Sequence, residues 1–209
     1  MVPSEIEAYL ESLIPNREPL LAKMEQYAKE NDVPIMELIG IEALLQLLRL
    51  VEPKAILEIG TAIGYSAIRM AKALPETKIV TIERDEERYN KALSYIKEAN
   101  VENQIKVILS DALDVTISGT FDCIFIDAAK GQYTKFFEKY EQHLAKSGVI
   151  ISDNVLFKGL VAANNTDNRR IKSLVKKIQG YNDWLMNHPS YHTTILPIGD
   201  GIAISKLKR

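Results

Sequence analysis

The feature that most constrains the fold is a short apolar strand that runs through a glycine-containing turn into a helix. Ile56, Leu57 and Ile59 form an apolar run of strand length. Gly60 and Gly64 permit a tight turn and a close approach of the backbone to a ligand. An amphipathic helix then opens at Ser66. Open α/β sheets bind ligands at strand-turn-helix units of this kind, so the stretch predicts a binding site.

The spacing within this stretch predicts the class of ligand. The pattern is Glu58-x-Gly60-x-x-x-Gly64 without a following lysine, which differs from both the dinucleotide fingerprint and the phosphate-binding P-loop. A carboxylate in the motif disfavours phosphates and suits a cationic ligand rich in hydroxyls. Glu83 ends the next predicted strand, roughly 20 residues past the turn, where an acid can bond ribose hydroxyls. A nucleoside without phosphate, such as S-adenosylmethionine, is predicted; an NAD site with a degraded fingerprint and a bare turn are the alternatives.

Strand and helix patterns alternate from residue 55 onward. The predicted strands are 55–59, 79–82, 105–109, 121–126 and 149–152, and the predicted helices are 65–74, 86–99, 133–144 and 167–186. Such alternation predicts an α/β fold, a doubly wound and mostly parallel sheet with helices on both faces. Strands 193–197 and 201–206 add an antiparallel C-terminal hairpin. One domain is predicted over residues 1–209, with residues 1–50 as an N-terminal helical cap.

The helical cap precedes the first strand. Ser4 and Glu7 have the spacing of a capping box at the first helix. Pro34 interrupts the pattern before a strongly apolar helix over residues 35–50. Met36 would lie near the nucleoside if that helix packs over the site, although a Met is more often core filler.

Composition limits the class of protein. The 209 residues carry a net charge of −2, so no bulk electrostatic attraction to nucleic acid or membrane is expected. A single cysteine, Cys123, excludes a disulfide within the chain. The sequence contains no apolar stretch long enough to span a bilayer and no signal-peptide pattern, which predicts a cytoplasmic protein without a membrane partner.

Polar residues stand at the ends of five predicted strands. They are Glu58, Glu83, Asp111, Asp127, and Asp153 with Asn154. Each alone would most often be a turn former or a helix cap. Because the carboxyl ends of parallel strands share one edge of a sheet, we expect these side chains to converge there.

The last three of these residues form an all-oxygen donor set. Oxygen donors without His or Cys suit a hard cation, Mg²⁺ first, with Ca²⁺ or Mn²⁺ as alternatives. Such a site leaves positions open for water and a substrate hydroxyl, whose deprotonation the metal favours. Lys130 follows Asp127 by three residues and is a candidate base or charge partner for the oxyanion, the alternative being a solvated loop lysine.

Three motifs resemble the class I, metal-dependent O-methyltransferases typified by the catechol and caffeoyl-CoA enzymes. They are residues 57–66 (LEIGTAIGYS), 125–130 (FIDAAK) and 152–155 (SDNV), and the likeness extends from about residue 36 to residue 206. The resemblance implies a seven-stranded Rossmann-like methyltransferase sheet and a homodimer. It implies a divalent metal on Asp127, Asp153 and Asn154, and catalytic roles for Lys130, as general base, and Asp127. The implied S-adenosylmethionine contacts are Met36, Glu58, Gly60, Ser66, Glu83, Asp111, Ala112 and Asp127.

Within this group the chain resembles the bacterial tRNA 5-hydroxyuridine methyltransferases more closely. The segments are residues 33–37, 127–133, 153–161, 184–189 and 199–201. This resemblance implies Mg²⁺-dependent methylation of 5-hydroxyuridine at the tRNA wobble position, giving 5-methoxyuridine. A wobble base lies in the single-stranded anticodon loop and is accessible without opening a duplex. Residues 128 and 129 are both Ala where the catechol enzyme has a bulky pair, which opens the site and argues against a small flat catechol.

Basic residues on the last predicted helix are candidates for RNA contact. They are Arg169, Arg170, Lys172, Lys176 and Lys177, and the alternative is an ordinary solvated helix face. The predicted function is therefore wobble-uridine O-methylation of tRNA, with O-methylation of a small catechol-like phenol as the alternative. A non-catalytic RNA-binding or ligand-sensing domain and an NAD oxidoreductase are the competing classes.

Overall fold

The computed structural model describes residues 3–163 and 167–208 and contains a seven-stranded sheet. The strands are β1 Ala55–Ile59, β2 Lys78–Glu83, β3 Ile105–Leu109, β4 Phe121–Ile126, β5 Leu144–Ser152, β6 Tyr191–Leu196 and β7 Ile202–Leu207. Their spatial order is β3-β2-β1-β4-β5-β7-β6. Strands β1 to β5 are parallel, while β7 runs antiparallel to both β5 and β6. The predicted sheet and its antiparallel hairpin are confirmed.

Helices cover both faces of the sheet. They are α1 Ser4–Leu13, α2 Pro19–Glu30, α3 Leu38–Val51, α4 Tyr65–Ala73, α5 Glu86–Glu98, α6 Tyr133–Tyr140, α7 Leu160–Ala163 and α8 Arg169–Met186. Side chains alternate along each strand, so Ile56 packs in a core with α2 to α5 while Leu57 packs in a second core with α6 and α8. The doubly wound arrangement is therefore confirmed.

Two predicted helix boundaries are wrong, and strand pairing explains the second of them. The third helix begins at Leu38, so residues 35–37 precede it as non-helical chain. Helix α6 ends at Tyr140, and Leu144 already belongs to β5 because it pairs with Phe121 of β4. Strand pairing overrides the apolar helical pattern that continued through this region.

The predicted capping box at the first helix is also wrong. The cap position is Pro3, and the Ser4 hydroxyl donates to the carboxylate of Glu5 at 3.3 Å. None of the residues of α1 is buried, and Tyr9 and Leu13 are both exposed. In the part of the chain that the structure describes, no helix is long and apolar enough to cross a membrane. The homodimer and the cytoplasmic location stay predictions.

The strand order determines where a ligand can bind. The chain moves from β1 outward to β2 and β3, then returns to place β4 on the other side of β1. This reversal opens a crevice beyond the carboxyl ends of β1 and β4, where open α/β sheets bind ligands. The turns that follow β1 to β5 all face this edge of the sheet.

Candidate active site

A cavity of about 310 Å³ lies at this edge of the sheet. It collects residues from the turns after five strands and from the extended chain before α3. The predicted site residues among its lining are Met36, Gly60, Ser66, Glu83, Asp111, Ala112, Asp127, Lys130, Asp153 and Asn154. Side chains that are far apart in sequence are therefore brought to one place, as the strand-end pattern predicted.

The glycine turn packs directly on the end of β4. Gly60 has a φ of +102°, and a Cβ at this position would lie 2.1 Å from the carbonyl oxygen of Asp127. The Gly60 amide donates to Ile82 in β2 at 3.0 Å, and the Asp127 amide donates to Ile59 in β1 at 3.0 Å. A side chain cannot fit between these strands, so Gly60 is required by close approach as well as by its dihedral angle.

Glu83 holds the turn from the neighbouring strand. Its Oε2 accepts the Ala62 amide at 2.8 Å, and its Oε1 accepts the amides of Arg84 and Asp85 at 3.0 and 2.9 Å. These bonds fix the carboxylate, which is 7% exposed, at the wall of the cavity. A fixed carboxylate with further acceptor capacity suits a ligand that carries hydroxyl groups.

Glu58 differs from the sequence expectation. It lies inside β1 opposite Thr81 of β2 and does not end a strand. It is completely buried and is not part of the cavity lining, because Ser66 Oγ and Thr81 Oγ1 each donate to its carboxylate at 2.5 Å. Glu58 contacts Ser66, which does line the cavity, and its predicted contact with S-adenosylmethionine stays a prediction.

Burial also changes the acidity of Glu58. Burial of the carboxyl raises its pKa, whereas the two hydrogen bonds from hydroxyl groups lower it. The effect of burial is larger, and the pKa is about 7. Asp127 and Glu83 add repulsion that raises the pKa further. Near neutral pH, the buried Glu58 carboxyl therefore changes between its protonated and its ionised form.

The two strand-end aspartates lie together at the other side of the cavity. Burial raises the pKa of Asp127 above its usual range, against the attraction of Lys130, and Asp200 adds repulsion. Burial, followed by repulsion from Asp127, raises the pKa of Asp153. Asn154 Nδ2 donates to Asp153 Oδ2 at 2.9 Å, and Lys130 Nζ donates to Asn154 Oδ1. Two carboxylates, one buried and one half-buried, thus lie near each other, where solvent screens their charges only in part.

This donor set fits a divalent cation. Two carboxylates and one amide oxygen meet in a polar pocket, and a cation would relieve the repulsion that raises both aspartate pKa values. Within residues 3–163 and 167–208, no group of three or more His, Cys, Asp and Glu side chains could hold a metal. Any site here therefore depends on the amide of Asn154 and on open positions for water or substrate, which is the pattern of a Mg²⁺ site.

Several residues of the cavity wall carry no signal in the sequence that predicts their position there. Tyr65 stands next to Ser66 in the glycine motif, and its hydroxyl donates to Glu25 of the helical cap at 2.6 Å. Phe136 lies on the apolar face of α6, where its pattern is that of an ordinary core residue. Arg88 and Gln132 line the rim, and no spacing in the sequence distinguishes them from solvated residues.

Comparison with known proteins gives a family match over most of the chain. Residues 11–208 match a protein family described as O-methyltransferase. A catechol O-methyltransferase from Niastella koreensis is 34% identical over 178 residues, which cover 78% of this chain and 78% of that protein. The structure of a candidate caffeoyl-CoA O-methyltransferase from Staphylococcus aureus is 37% identical, with a TM-score of 0.88 and 98% of each chain covered.

A further solved structure carries the methyl donor. The O-methyltransferase TomG from Streptomyces achromogenes, involved in tomaymycin synthesis, was solved in complex with S-adenosylmethionine. It is 26% identical, with a TM-score of 0.80, and the match covers 98% of this chain and 96% of that chain.

The close approach at Gly60 predicts a large effect of one added methyl group. Gly60→Ala should destabilise the protein by roughly 3 kcal/mol or more, because strained backbone and a backbone clash combine. Gly119→Ala is the matched control, since its φ of +98° is similar but its Cβ would meet no atom within 4 Å. The control should lose only about 1 to 2 kcal/mol of its free energy of unfolding. Urea unfolding measures both; equal losses would mean that the contact with Asp127 is unimportant.

The raised pKa of Glu58 predicts a pH-dependent stability. From the usual glutamate pKa up to about 7, the folded protein keeps a proton that the unfolded chain has lost, so stability falls as pH rises through this window. Glu58→Gln removes this loss, and its stability relative to wild type should increase by up to about 3 kcal/mol between pH 4.5 and 7.5. Unfolding curves without ligand, in EDTA, measure the difference; a constant difference across this range contradicts the prediction.

Proposed function

Because the chain belongs to the O-methyltransferase family, we propose that it transfers a methyl group from S-adenosylmethionine to a hydroxyl of a catechol-like phenol, assisted by a divalent cation. The products are the methyl ether, S-adenosylhomocysteine and a proton. The observation that carries the proposal is one cavity in which Glu83 lies at one side and Asp127, Asp153 and Lys130 at the other. Family membership leaves no basis for the alternative NAD oxidoreductase.

Two relatives support the phenolic substrate over tRNA. Their names refer to catechol and to caffeoyl-CoA, both of which carry two adjacent phenolic hydroxyls. Ala128 and Ala129 both line the cavity, and their small side chains leave space beside the paired aspartates. The proposed substrate is therefore an ortho-dihydroxyphenyl compound with a further substituent, larger than catechol itself.

The nucleoside side of the cavity is proposed to orient the methyl donor. Glu83 would accept hydrogen bonds from ribose hydroxyls, and the absent side chain of Gly60 lets the turn pack against Asp127 at the wall of the cavity. Met36 is 5% exposed and covers the cavity from the chain before α3. Glu58 contributes indirectly by holding the Ser66 hydroxyl.

The acidic side of the cavity is proposed to orient the phenol. When bound, S-adenosylmethionine supplies an electrophilic methyl carbon, and a cation on Asp127, Asp153 and Asn154 supplies positive charge that favours an ionised hydroxyl. Once its ammonium group has released a proton to solvent, Lys130 would receive the hydroxyl proton at Nζ and then stand beside the oxyanion as a hydrogen-bond donor. Because the chain holds both partners in place, positioning supplies much of the rate.

An assay with and without metal tests this proposal. Protein, S-adenosylmethionine and an ortho-dihydroxyphenyl substrate are incubated with Mg²⁺ or with EDTA, and the methyl ether is measured by mass spectrometry. Asp153→Ala should lower transfer more than about 100-fold while the affinity for S-adenosylmethionine changes less than about threefold, because Asp153 belongs to the metal group. Asp183→Ala, an exposed aspartate on α8, is the control.

Three results would contradict parts of the proposal. Transfer that proceeds equally in EDTA removes the role of the cation. Loss of S-adenosylmethionine binding in Asp153→Ala shows that the acids do not divide into a nucleoside group and a metal group. A protein that binds S-adenosylmethionine but methylates no phenol of the series removes the phenolic substrate.

A basic stretch beside the cavity favours tRNA as a second candidate substrate. Arg169, Arg170, Lys172, Lys176 and Lys177 are all exposed on α8. Among the described residues they form no ion pair within 4.0 Å. A Cβ on Gly131 would lie 3.4 Å from Lys177 Nζ, which places this stretch next to the turn that carries Lys130.

The placement of these charges is unfavourable for the helix itself. Cations at a helix N-terminus oppose the helix dipole, and Lys172 and Lys176 repel each other one turn apart. A polyanion such as an anticodon stem would relieve this repulsion. The adjacent oxygens of 5-hydroxyuracil could then occupy the same site as the two oxygens of a catechol.

Charge reversal tests the second candidate. The double variant Lys172→Glu/Lys176→Glu should weaken binding of tRNA that carries 5-hydroxyuridine by about tenfold or more, because two phosphate contacts are lost. Lys29→Glu/Lys97→Glu is the control, since these exposed lysines lie on other helices and give the same change of net charge. Filter binding at two salt concentrations measures the effect. Equal losses in both variants would remove tRNA as a specific substrate.

A further inference from the structure

Side chains from two helices hold the chain that carries Asp153 and Asn154. Tyr133, the first residue of α6, donates its hydroxyl to the Asp153 carbonyl at 3.0 Å. Asn182 of α8 donates Nδ2 to the Val155 carbonyl at 2.8 Å. Both side chains lie in the interior, at 1% and 9% exposure. Two carbonyls on either side of Asn154 are thus bonded by buried side chains instead of by water.

The backbone around Asn154 is anchored on both sides. The Asp153 amide donates to the Ile126 carbonyl at 3.0 Å. The Val155 amide donates to the Gly201 carbonyl at 3.1 Å. Asn154 between them has a φ of +56°, a left-handed conformation that Asn adopts more readily than most residues. The two side-chain bonds add a partner to the carbonyl on each side of Asn154, so they further restrain the peptide groups that flank its side chain.

Tyr133 also connects the two loops of the acidic site. It follows the turn Lys130–Gln132 directly, so its hydroxyl ties the loop of Lys130 to the loop of Asp153. Its ring packs edge-on against Tyr181 at 5.3 Å, and the Tyr181 hydroxyl lies 2.7 Å from Ser152 Oγ. These contacts fix the direction from which the Tyr133 hydroxyl reaches the carbonyl.

Asn182 is retained at a cost in hydrogen bonding. Its Oδ1 is buried without a hydrogen-bond partner among the residues that the structure describes. A leucine of similar size would avoid this unpaired acceptor in an otherwise apolar helix face. The hydrogen bond from Nδ2 to the Val155 carbonyl is therefore the favourable contact that an asparagine makes at this position and a leucine would not.

We propose that Tyr133 and Asn182 are positioning residues for the cation site, which hold the Asp153–Asn154 segment so that its oxygens face Asp127 before a cation binds. The inference rests on the metal role in the proposed function. Neither side chain is a ligand; each acts through a backbone carbonyl next to a ligand, as partners behind metal ligands commonly do.

Binding of the metal alone tests this proposal. Mg²⁺ and Mn²⁺ affinities are measured by calorimetry on the protein saturated with S-adenosylmethionine, for wild type, Tyr133→Phe and Asn182→Leu. Each variant should bind the cation about tenfold more weakly, as for other residues that orient metal ligands. Affinity for S-adenosylmethionine should stay unchanged, and high Mg²⁺ should restore most of kcat. Asn182→Leu removes one unpaired acceptor, Oδ1, and leaves another, the Val155 carbonyl, so its Tm should differ little from that of wild type.

A matched control separates positioning from stability. Thr77→Val removes a buried hydroxyl that donates to the Pro53 carbonyl at 2.6 Å, before β2 and remote from the cavity. It should lower the Tm without changing cation affinity. Wild type that binds no cation would overturn the metal role and this inference together. Wild type that binds, with Tyr133→Phe and Asn182→Leu binding equally well, would overturn this inference alone. Asn182→Leu remains decisive if Tyr133→Phe does not fold.

Discussion

The contact between the Gly60 turn and the backbone of Asp127 is the constraint on which the rest of the site depends. It joins β1 to β4 at the point where the strand order reverses, so the nucleoside side and the acidic side of the cavity share one wall. A methyl donor and a hydroxyl can react only when they are held within contact distance. The absence of a side chain at one residue is thus what brings the two halves of the site together.

The site also concentrates negative charge where water is excluded. Glu58 and Asp153 are buried and Asp127 is half-buried, and loss of hydration raises the pKa of each. Their neighbours differ, and this difference separates their roles. Glu58 accepts two hydroxyl hydrogen bonds and supports Ser66, whereas the two aspartates face each other with an amide and an ammonium group close by. The first arrangement fixes the Ser66 hydroxyl at the cavity, and the second suits a cation.

Catechol-like phenols and 5-hydroxyuracil both present two adjacent oxygens. A cation at the acidic side of the cavity would therefore not distinguish between them. Discrimination must come from the rim, where Ala128 and Ala129 leave space and Lys177 lies beside the turn of Lys130. One catalytic centre is therefore compatible with substrates of very different size, and the surroundings of the cavity decide between them.

The sequence alone determined the sheet, its hairpin and the strand-end acids that line the cavity. Hydrophobic periodicity and strand-end polarity are local signals, and parallel strands necessarily bring their carboxyl ends to one edge. Tertiary structure alone decided where Glu58 points, where α6 stops, and which buried groups bond to the Asp153–Asn154 segment. These features depend on residues such as Thr81, Phe121 and Asn182. Each is distant in sequence from its partner and reaches it only when the strands and helices pack.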